Sequence, residues 1–212
     1  MTINTVHDPQ KWLEEIDKEW DIFQYAYQFS MEDKIYVSTL KDKSTLIDLC
    51  LKSSVDEKFN SSLAGDIQSE YRVASNKAID SVKEELKIHL SRIADKAIIS
   101  VDLMSKDDLY DVWVNRQKAT EFNPSHNHSG IFSFVIYADI PESIREEHKQ
   151  AYGNTQNRGC IQFHSKRSDE HLTFNPSNNT ILIFQSSHIH QVYPFYSDET
   201  RITIAGNIHG FD

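Results

Sequence analysis

The sequence predicts a mainly β domain entered through helices. Two observations set that class. The longest helical period runs over residues 75–97, where Ile79, Val82, Leu86, Leu90, Ile93 and Ala97 fall three and four apart. After about residue 100 that period disappears, and short apolar runs separated by turn residues replace it. Short strands with irregular links are the pattern of an antiparallel sandwich or barrel.

The elements follow in order. Asp8-Pro9 is a helix start, a capping carboxylate before a proline at the first helical position, and Trp12, Leu13, Ile16 and Trp20 recur at helical spacing. Phe23, Tyr25, Tyr27 and Phe29 then alternate as in a strand. Ile35-Tyr36-Val37 reads as a further strand and residues 44–52 as a short helix. The stripe over residues 75–97 packs on a sheet, with Lys83, Glu84, Glu85 and Lys87 largely off it. Strands are predicted over residues 112–117, 131–138, 160–164, 180–184, 189–193 and 201–208. Residues 140–159, long and charged, read as a loop with at most one helical turn, the kind of segment that closes over a binding site. Residues 1–100 are thus expected to form an α/β extension carrying the long supporting helix. Residues 101–212 are expected to form the β core, the two making one structural domain.

Bulk properties narrow the function. A chain of 212 residues with 39% hydrophobic and 11% aromatic content can bury a sizeable core. A net charge of -10 and a pI near 5.4 argue against a broad phosphate-binding surface, so nucleic acid is not an expected partner. No stretch approaches the roughly 20 apolar residues that span a bilayer, and the N-terminus lacks the apolar centre of a secretory signal. Cys50 and Cys160 sit far apart, which suits free thiols in a reducing cytoplasm. Lys166 and Arg167 make only a small basic spot, and no G-x-S-x-G, P-loop, G-x-G-x-x-G or C-x-x-C motif is present.

The chemistry is carried by histidines and one arginine. His126 and His128 are two apart in N-P-S-H-N-H-S-G, which on a strand presents both imidazoles on one face. His188 and His190, in S-H-I-H-Q-V-Y-P, can add a third corner, and spacing alone leaves the choice between them open. Neutral imidazole suits Fe, Zn, Cu and Ni alike. Eleven residues past His190 stands Arg201, and Thr203 shares its strand face. A guanidinium fork beside a hydroxyl suits a carboxylate held through two hydrogen bonds. His148, His164, His171 and His209 have no matching context and read as surface or loop residues.

Taken as an ordered set, these pieces resemble the Fe(II)/2-oxoglutarate-dependent oxygenase superfamily, whose pattern is H-x-D/E, a distant His, then R-x-S/T. The likeness is greatest to the prolyl-hydroxylase-like branch common in marine phages. It rests on Trp113-Val114-Asn115, His126-Asn127-His128-Ser129-Gly130, residues 134–137 ending in tyrosine, His190-Gln191-Val192-Tyr193-Pro194 and Arg201-Ile202-Thr203-Ile204, with Ser62-Leu63-Ala64-Gly65-Asp66-Ile67 ahead of the long helix. It spans roughly residues 60–208.

The resemblance implies a double-stranded β-helix, or jelly roll, with N-terminal helices packed on it. It implies Fe(II) on His126, His128 and His190, with 2-oxoglutarate as cosubstrate and ascorbate as a supporting reductant. His190 is preferred over His188 because the following Gln-Val and the interval to Arg201 fit the pattern, leaving His188 a supporting or entrance residue. Arg201 with Thr203 would pair with the distal carboxylate, Tyr137 would be a second donor, and Asn207 would support the site from behind. His128 stands where most of the superfamily carries a carboxylate, which leaves three neutral ligands and a more positive metal. The implied activity is hydroxylation, with peptidyl proline as the family-level substrate among peptide, protein or small-molecule candidates, in the host cytoplasm if the origin is a phage. Two rivals differ in class. One is a three-histidine, cupin-like dioxygenase that does without 2-oxoglutarate; the other is a non-catalytic jelly-roll structural protein.

Overall fold

A computed structural model describes residues 6–7, 23–25, 35–40, 43–58, 65–94, 110–150, 157–165, 169 and 171–209. The helix expected over residues 9–20, the alternation at Tyr27 and Phe29, residues 62–64 and the Lys166-Arg167 spot lie outside them.

In chain order the strands are β1 (Val6–His7), β2 (Phe23–Tyr25), β3 (Ile35–Thr39), β4 (Ser54–Lys58), β5 (Glu70–Val73), β6 (Tyr110–Gln117), β7 (Asn123–His126), β8 (Phe132–Asp139), β9 (Ile161–His164), β10 (His171–Phe174), β11 (Thr180–Gln185), β12 (His190–Val192) and β13 (Arg201–Ile208). The helices are α1 (Lys43–Ser53), α2 (Asn76–Ala94) and α3 (Glu142–Gln150). The strands form two sheets, ordered β2-β3-β11-β8-β13-β6-β5-β4 and β1-β10-β9-β12-β7. Pairing is antiparallel except between β1 and β10. This is the expected mainly β, jelly-roll architecture, and its larger sheet draws strands from both sides of residue 100.

Strand alternation sorts the larger sheet into two faces. Val112 and Val114 of β6, Ile136 of β8, Ile181 and Ile183 of β11 and Ile204 of β13 turn toward the helices, where Leu46 and Cys50 of α1 and Ala78, Val82, Leu86 and Leu90 of α2 meet them. Leu182 and Phe184 turn the other way and pack with Ile161, Phe163, Leu172 and Phe174 of the smaller sheet. On this inner face β6 and β13 present Trp113, Asn115, Gln117, Arg201 and Thr203 instead, and a cavity opens there.

Three expectations are corrected. Residues 140–159 are more than a loop, because α3 occupies nine of them. Pro141 pre-sets the first turn, its carbonyl accepting from Ile144 and Arg145 backbone N–H groups, and Ile144 is buried against the core. Second, β4, β5, β7 and β10 are strands that apolar alternation did not reveal. Third, the two leading histidines do not share one strand: His126 ends β7 and His128 lies past it. Cys50 and Cys160 are free and buried in different layers. Among the described residues no helix is long and apolar enough to cross a membrane.

Candidate metal and cosubstrate site

The histidine cluster is built by pairing within the smaller sheet. β12 lies against β7 with His190 directly opposite His126. His128 is brought over by its backbone N–H, which donates to Ser186 O at 2.8 Å in the turn after β11. The turn that releases it needs Gly130, whose φ of 105° favours glycine and where a Cβ would meet Ile208 O at 2.7 Å. Ring centroids stand 4.3 Å apart for His126 and His190, 4.9 Å for His126 and His128, and 5.2 Å for His128 and His190. One nitrogen from each ring lies within 4.8 Å of the others, a span that small rotations close onto one ion.

Neighbouring carbonyls set the tautomers of two rings. His126 Nδ1 is 2.6 Å from Pro124 O and His190 Nδ1 is 2.9 Å from His188 O, so each Nδ1 carries the proton and each Nε2 keeps its lone pair for a metal. Burial is the first cause holding all three basicities down, aided at His128 and His190 by neighbouring histidines; His128 falls to about 4. All three are therefore neutral at pH 7, the state a metal requires. His188 stays outside the cluster: its Nε2 bonds His164 O at 3.0 Å and its ring packs edge-on to Phe163. Its carbonyl, not its ring, serves the site. Asn207 stands behind the cluster, where Ser133 Oγ bridges Asn207 Oδ1 at 2.8 Å and Ser186 Oγ at 3.0 Å.

Facing the histidines from the larger sheet is Arg201, 3% exposed. One arm of its guanidinium donates to Gly159 O, the other to the side-chain oxygen of Gln117, and its Nε has no partner. The Phe195 ring lies 5.7 Å from its carbon centre. Among the described residues no carboxylate pairs with it. A desolvated cation without an acid is costly unless a ligand brings the countercharge. Thr203 is directly opposite Tyr137 in register, and both line the cavity beside Arg201. Burial keeps the Tyr137 phenol protonated, with Arg201 pulling the other way. The Cys160 thiol, also close to Arg201, is pushed by burial to about 12.

The other histidines do not gather here. His164 and His171 are cross-strand neighbours with rings 4.5 Å apart, and His209 pairs with Asp111 at 2.7 Å. The side chain of His148 lies outside the described residues. Sequence reasoning missed Gln117, Asn123 and Glu70, which also line the cavity. The alternation Trp113-Asn115-Gln117 carried a signal for the first of these.

The residues fit the two groups that an Fe(II)- and 2-oxoglutarate-dependent oxygenase needs: three neutral imidazoles for a metal and a buried arginine, without an acid partner among the described residues, for a dicarboxylate. The family described as "Putative 2OG-Fe(II) oxygenase" matches residues 111–207, which contain all three histidines and Arg201. Over those residues the chain is similar to this oxygenase family, whose description names Fe(II) and 2-oxoglutarate. A Pseudomonas putida prolyl-4-hydroxylase shares the fold with a TM-score of 0.55 at 11% identity, over 84% of this chain and 93% of that one. HygX from Streptomyces hygroscopicus, solved with nickel and 2-oxoglutarate bound, gives 0.53 at 7% identity over 85% and 84%. A prolyl hydroxylase from Trichoplax adhaerens, in complex with a hypoxia inducible factor oxygen degradation domain peptide fragment, gives 0.50 at 11% over 81% of each chain. At such identities the likeness is one of fold. No curated protein matches the sequence.

Proposed function

We propose that the protein hydroxylates a C–H bond of its substrate, holding Fe(II) on His126, His128 and His190 and the distal carboxylate of 2-oxoglutarate on Arg201, Thr203 and Tyr137. The observation that carries this reading is Arg201, buried with no acid partner, facing three neutral imidazoles across one cavity. Iron with 2-oxoglutarate activates dioxygen and places one oxygen atom on the substrate, the cosubstrate leaving as succinate and carbon dioxide.

The chain's own residues do the positioning. The Pro124 and His188 carbonyls hold two imidazoles with Nε2 toward the metal. Gln117 and the Gly159 carbonyl hold the guanidinium plane, so its remaining donors meet a carboxylate with little reorganisation. Tyr137, kept protonated, and Thr203 add neutral donors at the same end. The interlayer aromatics Phe163 and Phe184 flank His190 and keep water from that side. With three neutral ligands the metal keeps its full double charge, which a dianionic cosubstrate offsets. α3 and residue 159 lie beside the Arg201 end, which supports the segment over residues 140–159 as a lid.

Peptidyl proline is the substrate class put first, supported by the prolyl hydroxylases among proteins of the same fold. The third histidine, in place of a carboxylate, favours a second reading as a three-histidine dioxygenase that ignores 2-oxoglutarate. One experiment separates them. Apo-protein is titrated anaerobically with Fe(II) and then 2-oxoglutarate, and the visible metal-to-ligand charge-transfer band is followed. A band that Arg201→Ala forms only at far higher 2-oxoglutarate supports the first reading; iron binding with no band supports the second.

A further inference from the structure

The smaller sheet carries a second pair of histidines, on its outer face. β9 and β10 send Ile161, Phe163, Leu172 and Phe174 into the interlayer core. The alternate residues Gln162, His164, His171 and Thr173 therefore turn away from it. Gln162 Nε2 donates to Thr173 Oγ1 at 2.9 Å, and His164 lies directly opposite His171. The backbone of His164 is fixed from the neighbouring strand. Its N–H donates to Ile189 O at 3.0 Å, and its carbonyl accepts from His188 Nε2 at 3.0 Å.

The two rings have the spacing of ligands on one ion. A divalent metal takes an imidazole nitrogen at about 2.1 Å, and the ring centre lies roughly 1.1 Å beyond it. Rings that share an ion at square to tetrahedral angles then stand roughly 4.5–5.2 Å apart. The His164 and His171 centroids are 4.5 Å apart with planes at 67°. The three rings gathered at the cavity span 4.3–5.2 Å and 41–89°, so the second pair falls inside both ranges. His164 Nε2 is buried with no hydrogen-bond partner among the described residues, an orphan that an ion between the rings would satisfy. Burial first, then His171, holds His164 below its ordinary basicity. His171 is exposed, which gives an ion its entry and leaves its other positions to water.

We propose that His164 and His171 form a second metal site, a two-imidazole chelate on the outer face of β9 and β10 for a borderline divalent cation such as Ni(II), Cu(II) or Zn(II). Mg(II) and Ca(II), which take oxygen ligands, are not held by this donor set. The net charge of -10 draws cations toward the protein. With two ligands in place of three, the site is the weaker of the two. It stands on the opposite face of the sheet from the cavity and does not depend on the cosubstrate assignment. One residue links them: His188 gives its Nε2 to the His164 carbonyl, and its own carbonyl holds His190 Nδ1 at 2.9 Å.

The test titrates the full metal-free chain with Ni(II) at pH 7.5, read by calorimetry with and without 2-oxoglutarate. Two equivalents are expected, a tight one that 2-oxoglutarate strengthens and a weaker one that ignores it. His171→Ala, at an exposed position where folding is not at stake, is expected to weaken the second equivalent about tenfold or more and to leave the first unchanged. His164→Gln is expected to do the same. His126→Ala is expected to remove the tight equivalent and keep the weaker one. A single equivalent in the wild type, or a second equivalent that His171→Ala and His164→Gln leave intact, overturns the proposal. Loss of the 2-oxoglutarate effect alone, with the weaker equivalent still sensitive to His171→Ala, overturns the cosubstrate assignment and upholds this site.

Discussion

Arg201 and Gln117 lie directly opposite each other on β13 and β6, and the Gln117 side-chain oxygen accepts from one arm of the guanidinium. The glutamine is itself fixed, its Nε2 donating to Glu121 O at 2.5 Å. A fork held in plane before the ligand arrives loses little freedom on binding. Gln117→Leu is expected to weaken 2-oxoglutarate about tenfold, and Arg201→Ala on the order of 100-fold or more. Anaerobic charge-transfer titration of both variants checks the order; equal losses would show that Gln117 does more than position Arg201.

The histidines set a pH window. Because His128 falls to about 4 from an ordinary 6.5, the folded apo-protein binds fewer protons than the unfolded chain between those values. Apo-protein stability is therefore expected to fall as pH drops from 6.5 toward 4. Metal affinity is expected to hold nearly level from pH 8 to 6, since proton competition starts lower than for free imidazole. Urea unfolding and Co(II) titration across pH 4–8 measure the two effects separately.

Glu70 runs in the opposite direction. Its carboxyl is raised from 4.5 to about 7, so its contribution to stability is whole below 4.5 and is lost as pH climbs through 7. Glu70→Gln should be near neutral at pH 4.5 and stabilising at pH 8, by up to about 3 kcal/mol for an interval of that size. A gain that does not change with pH would contradict the assignment.

Thr120, a β-branched residue at φ 69°, occupies the left-handed region in the turn between β6 and β7, held there by its N–H bond to Phe195 O at 2.7 Å. Thr120→Gly is expected to stabilise the fold by roughly 1 kcal/mol without altering metal binding. Denaturant midpoints decide it.

Glu147 ties α3 to the loop before β13, accepting from the backbone N–H groups of Tyr196 and Ser197 and from Ser197 Oγ at 2.5 Å. Glu147→Ala leaves those donors without their acceptor, at about 2 kcal/mol. Limited proteolysis should cut the segment over residues 140–159 faster in the variant, and 2-oxoglutarate should slow the cut in the wild type. Indifference of the wild type to 2-oxoglutarate would remove this segment as a lid.

Apolar strands were legible in the sequence. β13 spans the predicted residues 201–208, and β8, β9 and β11 differ from prediction by a residue at one or both ends. Their alternation encodes two buried faces, so burial and pattern agree. β5, β7 and β10 hid because they are four-residue segments carrying Glu70 and Arg72, Asn123-Pro124 or His171. Their neighbours, more than their own composition, make them strands. The three histidines and Arg201 were legible as spacing, and the structure gathers them at one cavity. Glu70 was not, because its place depends on the pairing of β5 with β6.

His126 and His190 ride on the smaller sheet and Arg201 on the larger, so the distance between the proposed metal site and the proposed anion clamp is set by what fills the space between layers. Phe163 lies nearly parallel to His190, with ring centroids 5.7 Å apart, and meets Phe184 of the opposite layer at 4.9 Å. These two rings act as a spacer gauge. A drift to smaller or larger side chains at either would retune which length of dicarboxylate bridges the layers, with every polar contact residue left in place.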